Sequence, residues 1–256
     1  MAQLEYLVPE TLDEALEMLE RGIPLAGGTS LTPQRKDLRA VVDLRKLGLD
    51  GVRSDGETIE IGATEKLQTI VHAQAPIPAR LREVCKLEAG WNLRNMVTLG
   101  GAIISRDGRS GLLTSLLALN TQILQATDAG VLPLHEVLLG RKDVKLITGV
   151  RFSIPTYFSY EQVARAPADW PLICVAIGMV QKQAGEEISI ALGGFGEYPI
   201  RLMEAEKLWT ETQDPEQVGQ SAQDAYKNAE DKWASGEYRS EIAGVLVKRL
   251  LKEVRS

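Results

Sequence analysis

Cysteine and histidine are nearly absent, with two of each in 256 residues. Cys85 and Cys174 lie far apart and have no companion ligands, so by themselves they cannot hold an iron–sulfur cluster or a structural zinc. Buried free thiols are the expectation for both. His72 and His135 are equally isolated, and neither sits in a pattern that builds a metal site or a Ser-His-Asp triad. No apolar run approaches the ~20 residues of a membrane span. Positive charge is not in excess: 29 Lys and Arg face 35 Asp and Glu, a net charge of −6. That argues against nucleic acid as the main partner, because neutralising phosphates needs a basic face. The opening MAQLEYLVPE has neither a basic nor an apolar leader region, so no signal peptide and a cytoplasmic location are expected. Internal repeats and low-complexity segments are also missing.

What is present is ordinary globular composition, 44% hydrophobic and 25% charged, in a chain long enough for one large domain or two small ones. Two glycine motifs stand out. In the first, Leu25-Ala26-Gly27-Gly28-Thr29-Ser30-Leu31, an apolar run reaches paired glycines and then two hydroxyls. Paired glycines let backbone N–H groups approach a ligand closely, and the hydroxyls can bond phosphate oxygens. A lone motif of this kind most often marks a plain turn. A second one, Val97-Thr98-Leu99-Gly100-Gly101-Ala102-Ile103, shifts the balance toward phosphate binding.

Along the chain, residues 4–8 read as a strand, and Thr11 with Glu14 has the capping-box form ahead of a helix closed by Gly22. Residues 40–44 and 58–63 read as strands. Thr64 opens a helix carrying Leu67, Ile70 and Val71, and a further helix is expected from about 79 to 88. Ser110 is placed to cap a helix over 112–119. Residues 122–127 and 131–134 read as a hairpin across Asp128-Ala129-Gly130, and residues 147–154 as a strand. The character changes near Pro155. Strands over 157–163, 172–181 and 188–193 suggest an antiparallel sheet, followed by helices over 202–212, 215–234 and 240–254. Lys248, Arg249, Lys252 and Arg255 cluster in the last helix, where cations suit the dipole; a solvated helix end is expected, with a site for an acidic partner as the alternative.

Taken in order, these segments resemble the FAD-binding medium subunit of molybdenum hydroxylases, the xanthine dehydrogenase and carbon monoxide dehydrogenase type. The resemblance covers nearly the whole chain. It is carried by Tyr6…Pro9…Thr11-Leu12-Asp13-Glu14-Ala15, the two glycine motifs, Val42-Asp43-Leu44, Ile61-Gly62-Ala63-Thr64, Arg94-Asn95-Met96, Arg165…Asp169 with Val175-Ala176, and Tyr238-Arg239. It implies an α+β fold: a vanillyl-alcohol-oxidase (PCMH)-type FAD-binding domain in two subdomains over 1–155, then a C-terminal domain of a small antiparallel sheet and helices over 156–256. It also implies that Leu25 to Leu31, Thr98, Gly100, Gly101, Ala102 and Ile103 contact FAD. The implied role is electron transfer: electrons pass from a small 2Fe-2S subunit through FAD to an acceptor such as NAD, alongside a large molybdopterin-binding subunit. No catalytic acid–base residue and no metal ligand is implied for this chain.

Three positions depart from the family pattern. Ala102 stands where Asn is usual. Gly111 stands where many members carry an Asp that contacts the flavin's sugar chain. Glu161, next to Tyr160, stands where some members carry a Lys. These departures keep open the reading of a flavin-free assembly subunit; a stand-alone FAD-dependent oxidoreductase with the same fold is a further alternative.

Overall fold

The computed structural model describes residues 4–34, 36–127, 130–140, 144–166, 169–183 and 185–254. The chain forms two compact units: Met1–Ala75, Ala89–Ser105 and Gln122–Phe152 make the first, and Pro76–Glu88, Arg106–Thr121 and Ser153–Ser256 the second.

In the first stretch, β1 (Glu5–Leu7), α1 (Leu12–Met18), β2 (Ile23–Leu25) and β3 (Ala40–Asp43) form a strand–helix–strand start. Thr11 caps α1 by accepting from the Glu14 N–H at 3.2 Å. The Glu14 carboxylate returns to the Glu10 N–H at 2.8 Å, one residue before the position a strict capping box uses. β1 and β2 pair in parallel on either side of β3, whose four residues are all buried. Parallel strands buried on both faces need a continuous apolar run, and Ala40-Val41-Val42 supplies it.

Next come β4 (Val52–Ser54), β5 (Thr58–Gly62), α2 (Leu67–His72), α3 (Ala79–Glu88), α4 (Trp91–Arg94), α5 (Leu99–Ser105), α6 (Gly111–Ala118), β6 (Gln122–Gln125), β7 (Val131–Pro133), α7 (Leu134–Leu138) and β8 (Ile147–Ser153). The five strands form a second sheet of order β4-β5-β8-β6-β7. Helix α2 starts three residues later than Thr64 suggested, because Lys66 bridges to Thr98 and holds the preceding backbone extended. The turn residues Asp128 and Ala129 lie outside the described residues.

The last stretch holds β9 (Tyr157–Val163), β10 (Ile173–Lys182), β11 (Gly185–Gly193), β12 (Ile200–Arg201), α8 (Met203–Thr212), α9 (Pro215–Tyr226) and α10 (Gly236–Val254). Its sheet is antiparallel, of order β12-β11-β10-β9. The first seven residues of β10 are buried, and their alternation explains how. Ile173, Val175, Ile177 and Met179 join a core with Trp209, Val218 and Leu246 of α8, α9 and α10. The intervening small residues meet α6: a Cβ on Gly178 would overlap the Ala118 carbonyl oxygen, and Cys174 Sγ lies 3.4 Å from Thr114 Oγ1. Bulky and small residues alternate because successive side chains leave a strand on opposite faces. Helix α6 is buried along its whole length, and with α3 it belongs to this unit although both precede residue 155. The chain is thus a mixed α+β protein with two sheets in one unit and one antiparallel sheet with helices in the other. Both cysteines are buried, and neither is part of a disulfide. Among the described residues, no helix is long and apolar enough to cross a membrane.

Further expectations change. The helix begun at Pro215 ends at Tyr226 rather than 234, because residues 227–235 leave the helix to wrap the Arg239 side chain. The basic cluster on α10 is not simply solvated. Lys248 and Lys252 pair with Glu216 at 3.0 and 3.5 Å, and Arg249 pairs with Glu161. Arg255 lies outside the described residues.

Candidate functional site

The first glycine motif leaves the end of β2 as a tight loop. A Cβ on Gly27 would overlap the Met96 carbonyl oxygen, so glycine is required there for the two loop backbones to touch. Gly28 has φ +70°, a left-handed conformation that favours glycine. Its carbonyl accepts from the Thr32 N–H at 2.9 Å and the Thr32 hydroxyl at 2.7 Å, which closes the turn. Between these fixed points, the N–H groups of Gly27, Gly28, Thr29, Ser30 and Leu31 have no acceptor among the described residues. Consecutive free N–H groups form a concave anion cradle.

The second motif is built differently from a glycine turn. Gly100 and Gly101 lie in α5, with ordinary negative-side φ values. Glycine is needed here for close approach. Gly100 donates to the Ala63 carbonyl at 2.8 Å, and a Cβ on it would sit only 3.0 Å from Ala63 Cβ and O. Thr98 caps the helix by accepting from Gly101 N–H at 3.3 Å, and a Cβ on Gly101 would lie 2.9 Å from that hydroxyl. Hydrogen bonds from Leu67 N–H to Val97 O (3.0 Å) and from Leu99 N–H to Glu65 O (2.8 Å) fix the segment against the chain after β5.

The two motifs share one cleft of about 330 Å³. Its lining includes Ala26, Gly27, Gly28, Thr29, Ser30, Leu31, Thr98, Gly100 and Gly101. Leu25, Ala102 and Ile103 are not on it: Ala102 and Ile103 are buried, and Ile104 and Ser105 line the cleft from that helix. Burial of Ala102 follows from its place on the inward side of α5, and no polar group is offered to the cleft at that position. The wall that sequence reading missed is Leu44, Ala63 and Val144–Ile147. No local signal marks the last four. They reach the cleft because β8 lies beside β5 and the Ala63 N–H donates to Thr148 O at 2.9 Å.

Gly111 and Glu161 belong to the second unit. A Cβ on Gly111 would overlap the Tyr160 hydroxyl, so the tyrosine takes the space a side chain at 111 would fill. Tyr160 is buried, which raises its pKa, and it donates to Gln162 Oε1 at 2.6 Å. Glu161 spends its charge on Arg249, at 2.7 Å from Nε.

Glu88, in the same unit, is a buried carboxylate. It accepts from the Ser110 hydroxyl (3.0 Å) and the Leu112 N–H (3.1 Å), and it lies 3.2 Å from Arg106 Nε. Burial outweighs these partners and pushes its pKa up to about 7. A carboxyl whose folded pKa is raised contributes stability that is full below its unfolded pKa and is lost as pH rises through about 7. We expect thermal stability to fall between pH 5 and 8 by an amount equivalent to about 3 kcal/mol, and Glu88→Gln to remove that slope. Melting curves of both proteins across that range check it; parallel pH profiles would contradict it.

Free N–H groups, hydroxyls and apolar walls around one cleft suit an anionic dinucleotide, since a diphosphate needs donors and an aromatic ring system needs apolar cover. The family described as "FAD binding domain in molybdopterin dehydrogenase" matches residues 2–155, and "CO dehydrogenase flavoprotein C-terminal domain" matches residues 158–254. The chain belongs to this family of FAD-binding subunits of molybdenum hydroxylases and is an oxidoreductase subunit with FAD as its cofactor. It is 30% identical to YgfM of Escherichia coli (strain K12) over 254 residues, 95% of this chain and 93% of that protein. It is 27% identical to the glyceraldehyde dehydrogenase medium chain of Sulfolobus acidocaldarius over 278 residues, 98% of each. In fold it matches a chain of the reconstituted CO dehydrogenase from Oligotropha carboxidovorans, with a TM-score of 0.82 and 24% identity, covering 97% of this chain and 96% of that one.

Proposed function

We propose that this chain is the electron-transfer medium subunit of a cytoplasmic molybdenum hydroxylase complex. It would work beside a large molybdopterin-binding subunit and a small 2Fe-2S subunit and deliver electrons to an acceptor such as NAD. Residues 1–155 serve as the FAD-binding domain and 156–256 as the C-terminal domain. The observation that carries this reading is the run of five N–H groups from Gly27 to Leu31, without acceptors among the described residues, on a loop that lines the same cleft as the second glycine motif.

When bound, FAD supplies redox chemistry in one- and two-electron steps. The chain's part is binding and placement. The N–H groups of 27–31 and the hydroxyls of Thr29, Ser30 and Thr98 hold the diphosphate. Gly100 and Gly101 let the second backbone segment approach it. Leu44, Ala63 and Ile147 shield the cofactor from water. No acid–base residue is needed for electron transfer alone. Neither Gly111 nor Glu161 lines the cleft, and Glu161 pairs with Arg249, so neither departure removes a polar group from the cleft.

The purified chain should show a flavin band near ~450 nm, a property of the cofactor. It should also co-purify with a molybdenum-containing subunit when expressed with its genomic neighbours. A colourless protein that stays colourless with added FAD would sink the reading. Flavin without any molybdenum partner would favour a stand-alone oxidoreductase instead.

A further inference from the structure

We infer that Lys145 supplies the positive charge that holds the FAD diphosphate in this cleft; the inference rests on the cofactor reading above. Among the described residues lining the cleft, Lys145 is the only charged one. The cradle of N–H groups offers partial charges, whereas a diphosphate carries full negative charge, and a nearby ammonium strengthens such hydrogen bonds considerably.

Its place on the cleft wall singles this lysine out. The protein is acidic overall, with a net charge of −6. Some cations of the same unit are neutralised close by, Arg21 by Glu5, Lys46 by Glu10 and Arg151 by Glu60, and none of these lines the cleft. Lys145 is exposed, and among the described residues it has no carboxylate partner and no acidic residue lines the cleft. A lysine on the wall of a cleft that offers it no carboxylate is available to an anionic ligand there.

Its backbone is well fixed. The Ala126 N–H donates to Leu146 O at 3.1 Å, and Ile147 begins β8, so the residues after Lys145 are anchored in the sheet. Lys145 and the glycine loop of residues 26–31 line the same cleft of about 330 Å³.

The test uses the full chain stripped of flavin and titrated with FAD at low and high salt. Lys145→Glu should weaken FAD binding about 10- to 100-fold at low salt, the range of a charge-assisted hydrogen bond. The gap to the wild type should narrow at high salt, because the interaction at the cleft mouth is screened. Lys145→Arg should bind nearly as the wild type, and all three proteins should melt together. Wild-type affinity in Lys145→Glu would overturn the inference, and so would a loss that is equal at both salt concentrations. A wild-type chain that takes up no FAD would instead overturn the cofactor reading itself.

Discussion

Arg239→Ala should destabilise the second unit by about 3–5 kcal/mol, the cost of breaking a buried, fully bonded ion pair. The guanidinium is completely buried, yet each of its five N–H donors has an acceptor. Nε donates to Leu172 O at 2.8 Å. Nη1 donates to Ala229 O (2.7 Å) and Ala234 O (3.2 Å), and Nη2 to both oxygens of Asp231 at 2.9 Å. Its plane lies over the Phe195 ring, 5.1 Å from the centroid. Truncation leaves three carbonyls and a carboxylate without their donor, and the loop of 227–235 loses what it wraps. Arg239→Lys should recover little, since an ammonium has three donors and no planar fork. Urea unfolding followed by far-UV dichroism gives the number; a loss under about 1 kcal/mol for the alanine variant would show that water replaces the guanidinium.

The same cluster predicts acid sensitivity. Burial raises the Asp231 carboxyl, but the N–H groups of Trp233 and Ala234 and the Arg239 guanidinium outweigh it, so the net pKa is lowered. A lowered folded-state pKa means stability that is present above the unfolded value of 3.8 and lost as pH falls below it. The Asp231→Asn protein should therefore be less stable than the wild type at pH 6, with the difference shrinking toward pH 3 in chemical denaturation.

Arg239 also shows why part of the fold was hidden from the sequence. Residues 215–234 carry a helical pattern with no strong breaker, and nothing in that pattern says that 227–235 must unwind around the side chain of Arg239, which bonds Ala234, Asp231 and Ala229. By contrast, Thr11 and Ser110 announce their helices, because an N-cap is a local contact: Thr11 accepts from Glu14 N–H and Ser110 from Leu113 N–H at 3.0 Å. Strands β9 and β10 were legible from apolar runs bounded by turn residues. In the cleft, residues 26–31 were legible because glycine pairs and hydroxyls have a chemical signature. Val144–Ile147 were not, because their place depends on β8 lying next to β5, a long-range pairing without a sequence mark. Gly100-Gly101 was legible as important and misread in kind. A glycine pair signals a turn when read locally, whereas here it admits Ala63 against the first turn of α5.

That distinction between a glycine that turns the chain and one that permits contact leads to the second large effect. Gly27→Ala should reduce FAD affinity by more than about 100-fold, whereas Gly28→Ala should cost about tenfold or less. At Gly27 the new Cβ would overlap the Met96 carbonyl oxygen and come within 2.9 Å of its carbon, all backbone atoms that cannot swing aside. The two segments must part, and the N–H groups of 27–31 then no longer share a cleft with Thr98, Gly100 and Gly101. At Gly28 a Cβ meets only Leu25 Cδ1 and Thr32 Oγ1 at 3.5 Å, ordinary contacts. The penalty there is the left-handed φ of +70°, on the order of 1 kcal/mol for an L-residue. Isothermal titration of the flavin-stripped variants with FAD measures both, and thermal melts check that each protein remains folded. A Gly27→Ala protein that keeps its flavin while Gly28→Ala loses it would mean the turn, and not the contact between the two motifs, builds the site. The opposite ranking would make the Gly27–Met96 contact the joint that turns two separate motifs into one binding cleft.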